Sequence, residues 1–129
     1  MESLGRHLLI DLWGCNREIN NPQTVRQAMV DVVEAVNATI LNIQVHAFRP
    51  SGVTGLAMLA ESHLSVHSWP EHGFVAVDIF TCSTVGQQKT VLDVLRRIFE
   101  PDSCEIHELR RGLRPNSPQP VHSLEKERT

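Results

Sequence analysis

Apolar and polar positions alternate along this chain with two distinct periods, and the switches between them lay out its elements. "RHLLIDLW" (6–13) is short and apolar and ends at Gly14, which predicts a strand. "NNP" (20–22) then places an asparagine cap before a proline, the usual opening of a helix. Val25, Met29, Val32, Val33 and Val36 follow at helical spacing, so 23–37 is predicted to be an amphipathic helix that Asn37 can close. "TILNIQVHAF" (39–48) returns to a period of two. Leu41, Ile43, Val45 and Ala47 fall on one face, and Asn42, Gln44 and His46 on the other.

"RPSGVTG" (49–55) has the composition of a turn, and "LAMLA" (56–60) reads as a short buried run. "SHLSVHSW" (62–69) is strand-like, and "PEHG" (70–73) is a tight turn into "FVAVDIFTC" (74–82), a very apolar strand that only Asp78 interrupts. Residues 86–99 restore the helical period through Val91, Leu92, Leu95, Ile98 and Phe99 until Pro101. "CEIHEL" (104–109) is a last strand. From Arg114 on no period survives, and a mobile tail is expected over 114–129. Short turns between the middle strands make them antiparallel neighbours, and two amphipathic helices can cover one face. The expected fold is therefore α+β: one domain over 1–113, a two-layer sandwich of a mainly antiparallel sheet with both helices on one face. The polar face of strand 39–48 is then either solvated or covered by a second subunit.

Composition narrows the function classes. The chain has 129 residues, a common size for one domain, and a net charge of −3. Nucleic-acid binding wants a basic face, so no such partner is expected. No apolar run approaches the length of a membrane span, and "MESLGRHLLIDLW" lacks the basic start and long apolar core of a signal peptide. A cytoplasmic protein is the expectation. Three cysteines, Cys15, Cys82 and Cys104, form no CxxC pair, so neither a disulfide framework nor a zinc ribbon is indicated.

The chemistry concentrates in "LAESHLSVHSWPEHGF" (59–74), which holds three histidines, two glutamates, three serines and a tryptophan. His63 and His67 share a face of a strand, but four residues of strand separate them by roughly 13 Å, too far for one ion. A metal site from His63, His67 and His72 would need the turn to fold back, and no metal is expected. There is no GxSxG elbow for a serine hydrolase.

The joint pattern "ESHLSVHSWPEHGFVAVDIFTC" (61–82) resembles the processing segment of the S-adenosylmethionine decarboxylases, in the small prokaryotic form. "SLGRHLL" (3–9), "HAFRPSGVTG" (46–55) and "EIHELRRG" (105–112) are similar to the family's start, its stretch before the cleavage site and its last strand. The resemblance implies that the chain makes its own electrophile. Decarboxylation leaves a carbanion that needs an electron sink, and no ordinary side chain supplies one. A pyruvoyl group derived from Ser62 would do so through a Schiff base with the substrate amine.

By the same resemblance, the Ser62 hydroxyl attacks the Glu61 carbonyl and the resulting ester is eliminated, cutting the chain between 61 and 62 into fragments 1–61 and 62–129. His67 matches the family's processing base, and a neutral imidazole suits that work near pH 7. Thr54 matches a hydroxyl residue that assists the shift, where many relatives have serine. Cys82 matches the acid that returns a proton to the substrate carbon. In a regular strand Ser62 and His67 point to opposite faces, so either a bulge separates them or Ser62 sits in a turn, and distortion is expected at 61–63.

Phe48 and Glu71 match positions of the family's substrate pocket, and Trp69 sits on the same turn as Glu71, so all three are expected to bind substrate. An aromatic face suits adenine and the sulfonium cation, and a carboxylate suits the ribose diol. His72 and Ser83 depart from the aromatic residue and the glycine that relatives often carry. The resemblance implies a homodimer of cleaved protomers with sites at the subunit interface, feeding aminopropyl groups to spermidine. Two other readings stand beside it: a pyruvoyl enzyme of the same fold acting on arginine or ornithine, and an uncleaved relative without activity.

Overall fold

The computed structural model describes residues 3–60, 62–82, 87–115 and 121–128; Glu61 and Ser83 lie outside the described residues. The strands are β1 (Gly5–Trp13), β2 (Ile40–Ala47), β3 (Val53–Leu59), β4 (Ser62–Trp69), β5 (Phe74–Thr81), β6 (Ser103–Arg111) and β7 (Val121–Arg128). The helices are α1 (Pro22–Ala35) and α2 (Gln88–Phe99). The strands form one sheet in the order β2-β3-β4-β5-β1-β6-β7, and every neighbouring pair is antiparallel. Both helices pack on one face, which makes the architecture the expected α+β two-layer sandwich.

Local chemistry sets the helix ends as the sequence indicates. The Asn21 side chain accepts hydrogen bonds from the Gln23 and Thr24 amides, with Pro22 at the first helical position. Asn37 follows α1 in the left-handed conformation at φ 58°. The core joins Leu8, Ile10 and Leu12 of β1 and Val75, Val77 and Ile79 of β5 to Val25, Met29 and Val32 of α1 and Val91, Leu95 and Phe99 of α2.

Three expectations change. The run 56–60 is not buried throughout. Residues 53–59 form β3, in which Val53, Ala57 and Leu59 are buried while Leu56 and Met58 are 53% and 61% exposed. Apolar residues occupy both faces there, so the period of two is invisible in hydropathy. The small residues go inward because α1 lies close: a Cβ on Gly55 would land on Met29 Sδ. In β2 a register shift between Ile40 and Asn42 turns Leu41 outward, 59% exposed, away from Ile43 and Val45. The tail reading of 114–129 also fails in part, since 121–128 form β7 on the edge of β6. Strand pairing uses backbone N–H and C=O groups that every sequence carries, so hydrophobic period is a poor guide to an edge strand.

The second face of the sheet carries no helix. It presents Thr54, Leu56 and Met58 from β3, His63, Ser65, His67 and Trp69 from β4, and Phe74, Asp78 and Phe80 from β5, with His7, Asp11 and Trp13 from β1, as the pairing register and strand alternation require.

Candidate active site

The site residues divide between the two ends of β4. Its far end holds a coherent group. Thr54 and His67 are direct cross-strand partners, and Thr54 Oγ1 lies 3.1 Å from His67 Nδ1. When Nδ1 donates to the threonine hydroxyl, Nε2 is left as the basic nitrogen. Trp69 follows two residues on, 42% exposed, with its ring 5.4 Å from Phe74, whose other side meets Trp13 at 4.3 Å. Glu71 lies exposed in the 3₁₀ turn Pro70–His72, which Gly73 closes at φ 61°. Phe48 follows β2, 50% exposed and edge-on to His46. Its amide donates to the Gly52 carbonyl, and the Gly52 amide donates to the Asn20 side chain, so the 48–52 turn is tied to the start of α1.

The near end of β4 holds two more of the residues singled out in the sequence, Ser62 and Cys82. Ser62 is the first residue of the strand, half-buried and opposite Leu59. His63 pairs with Phe80, so Cys82 follows two residues beyond that pair, exposed at the same end of the sheet. Neither a bulge nor a turn reconciles Ser62 with His67. The β3–β4 register runs without a shift from Leu59↔Ser62 to Thr54↔His67. At about 3.4 Å per residue, five steps put the two residues roughly 17 Å apart, on opposite sides of the sheet. The distortion expected at 61–63 is absent at Ser62 and His63, and Glu61 falls outside the described residues.

Two groups escape a reading of sequence alone. The aromatic row Trp13–Phe74–Trp69 is made by β1 and β5, and only strand pairing brings Trp13 there. Asp78, the single interruption of the apolar 74–82 run, receives the Ser65 hydroxyl at 2.8 Å and faces His7 and His63. That lone carboxylate was the available signal. His63 therefore meets His7 and Asp78, while strand spacing keeps it from His67.

The three thiols differ. Cys104 is buried. Burial, then Cys104 and Asp102 nearby, push the Cys15 thiol up to about 12. At pH 8 its thiolate fraction is on the order of 10⁻⁴. Iodoacetamide at pH 8 should label one cysteine per native chain, the exposed Cys82. Peptide mapping that finds Cys15 or Cys104 labelled first would contradict this assignment.

Comparison with known proteins now gives the arrangement a class. The sequence model of the S-adenosylmethionine decarboxylase family matches residues 6–112. The S-adenosylmethionine decarboxylase proenzyme of Thermomicrobium roseum is 46% identical over 114 residues, covering 88% of this chain and 97% of the relative. That of Methanococcus vannielii is 40% identical over 114 residues, covering 88% and 93%. The crystal structure of the adenosylmethionine decarboxylase from Aquifex aeolicus superposes with a TM-score of 0.80 at 29% identity, covering 92% of this chain and 98% of that one. A Trypanosoma brucei structure, 16% identical with a TM-score of 0.60, shares the fold; this chain spans 53% of it.

Fold and matches together define a decarboxylase made as a proenzyme. The chain belongs to the S-adenosylmethionine decarboxylase family, in its small prokaryotic form, and its activity is decarboxylation of S-adenosylmethionine for polyamine biosynthesis. Membership implies a pyruvoyl group. No helix among the described residues is long and apolar enough to cross a membrane.

Proposed function

We propose that Ser62 is the source of the pyruvoyl group and that each active site is completed by a second copy of the chain. The observation that carries this is the separation of Ser62 from His67 along an unbroken strand. A base cannot act on a serine roughly 17 Å away through its own sheet. Two copies with their helix-free faces together, related by a twofold axis, can set the Thr54–His67 end of one against the end of the other where Ser62 opens β4; alternation turns the Ser62 side chain to the helix side, so the main chain at Ser62 is what meets the second copy. The exposure of Leu56, Met58, Trp69 and Trp13 on that face supports such burial.

The residues present fit a pyruvoyl group. Ser62 opens a strand directly after a hairpin, where a cut frees a new terminus without removing a core element. Cys82 lies at the same end of the sheet. In processing, the Ser62 hydroxyl adds to the Glu61 carbonyl, with Thr54 of the second copy placed to assist. The ester that replaces the amide is eliminated when His67 of that copy takes the Ser62 α-proton, residue 61 leaves as a carboxylate, and the dehydroalanine left at 62 tautomerises to an imine that water hydrolyses to the pyruvoyl carbonyl with loss of ammonia. The pyruvoyl group, once formed, supplies an electron sink for the carboxylate carbon's bonding pair.

The chain's own groups do the rest. Phe48 and Trp69 offer aromatic faces to adenine and to the sulfonium, and Glu71 accepts from the ribose hydroxyls. Cys82 returns a proton to the α-carbon after CO₂ departs, which gives the aminopropyl donor for spermidine. Intact mass under denaturing conditions tests the cut. Two fragments are expected, the larger blocked at its amino end and fixed to labelled S-adenosylmethionine by borohydride. A single uncut mass, or no label, would refute the serine assignment.

A further inference from the structure

His7, His63 and Asp78 come from β1, β4 and β5 and meet on the helix-free face. His7 and His63 both pair with Phe80, and each reaches diagonally across to Asp78, two residues along β5. His7 Nε2 stands 3.6 Å from Asp78 Oδ2, and His63 Nε2 stands 3.6 Å from Asp78 Oδ1. The set's donor atoms all lie within 4.8 Å of one another. At these separations each contact is a long ion pair, and the buried His7 Nε2 has no shorter hydrogen bond. The three groups converge on a gap between them, with each imidazole in a long, 3.6 Å ion-pair contact to Asp78.

We propose that this gap binds a divalent first-row transition metal such as Zn²⁺. Ligands about 2.0–2.1 Å from zinc stand roughly 3.3 Å apart in a tetrahedron, so the three side chains, with donor atoms within 4.8 Å of one another, must draw in slightly to hold the ion. Two imidazoles and one carboxylate favour zinc, cobalt or nickel over magnesium or calcium, which take oxygen ligands. A fourth position remains on the face that the second copy covers, beside side chains that are 51% (His63) and 31% (Asp78) accessible in the single chain. The ion ties three neighbouring strands and anchors His63, the residue after Ser62. Ser65 holds the carboxylate in place through its 2.8 Å bond to Oδ1.

One neighbour opposes loading. Arg111 Nη1 lies 3.4 Å from His7 Nδ1, and its guanidinium lies 5.7 Å from the centre of the Phe80 ring. A donor at Nδ1 keeps the imidazole proton on Nε2, the atom the metal needs. Arg111 must swing aside for the ion to bind, so Arg111→Gln should tighten the site several-fold.

The test uses the full chain, tag-free and stripped with EDTA, titrated with Co²⁺ and then Zn²⁺. One Co²⁺ per chain is expected, with the visible absorption of a four-coordinate ion that Zn²⁺ then abolishes. His63→Ala, on a half-exposed ring, and Asp78→Asn should each weaken binding at least tenfold, while His107→Ala leaves it unchanged. Binding should survive in Ser62→Ala, which separates the metal site from self-cleavage. Absence of the absorption, or affinity unmoved by both His63→Ala and Asp78→Asn, would overturn the proposal.

Discussion

Ser62→Ala should leave one uncut band near the full 14.5 kDa and no decarboxylation, whereas the parent chain should run as two fragments. The expected loss is on the order of 10⁴-fold or more, because the electron sink itself disappears. Stability should barely move. Ser62 is half-buried at the end of a strand, outside the apolar core, and a surface-type substitution there changes folding by about 0.5 kcal/mol or less. A denaturing gel, a turnover assay and a urea melt read all three. Cleavage or turnover in a folded Ser62→Ala protein would sink the assignment.

Mixing defects should restore what neither chain does alone. His67→Ala by itself should slow processing by roughly 10²- to 10⁴-fold, the range for losing a general base. Co-expressed with Ser62→Ala, half the dimers should be mixed. Each mixed dimer holds one site with an intact Ser62 facing an intact His67, and one site lacking both. About a quarter of normal activity should return, with about a quarter of all chains cut. The same-chain arrangement predicts no recovery, because no chain then carries both residues. Equal expression and a folded state are checked by distinguishable tags and gel filtration. A mixture as inactive as its parents would place His67 and Ser62 in one protomer's site.

Much of the molecule was legible in the chain's order. The strand 62–69, the helix with Asn21 and Pro22 at its start, and the turn at 70–73 all carry local signals, because caps, prolines and left-handed glycines act over a few residues. The motif chemistry was legible for the same reason, as Glu61 to Cys82 form one short stretch. The errors also share a cause. Leu56, Met58 and Leu41 are apolar yet exposed, and hydropathy cannot say which side of a sheet will be covered. The strand at 121–128 adds to an edge through its backbone, which composition does not encode.

The sequence by itself determined the element order as far as β6, the antiparallel two-layer architecture and the family, since these rest on periods, caps and a contiguous motif. Only the tertiary structure decided how that motif is spread in space. An unbroken β4 parts Ser62 from His67 at fixed pitch, and pairing with β1 and β5 gathers His7, Asp78 and Trp13 onto the same face. Those contacts join residues distant along the chain, so the register between strands, and no local preference, sets which groups meet.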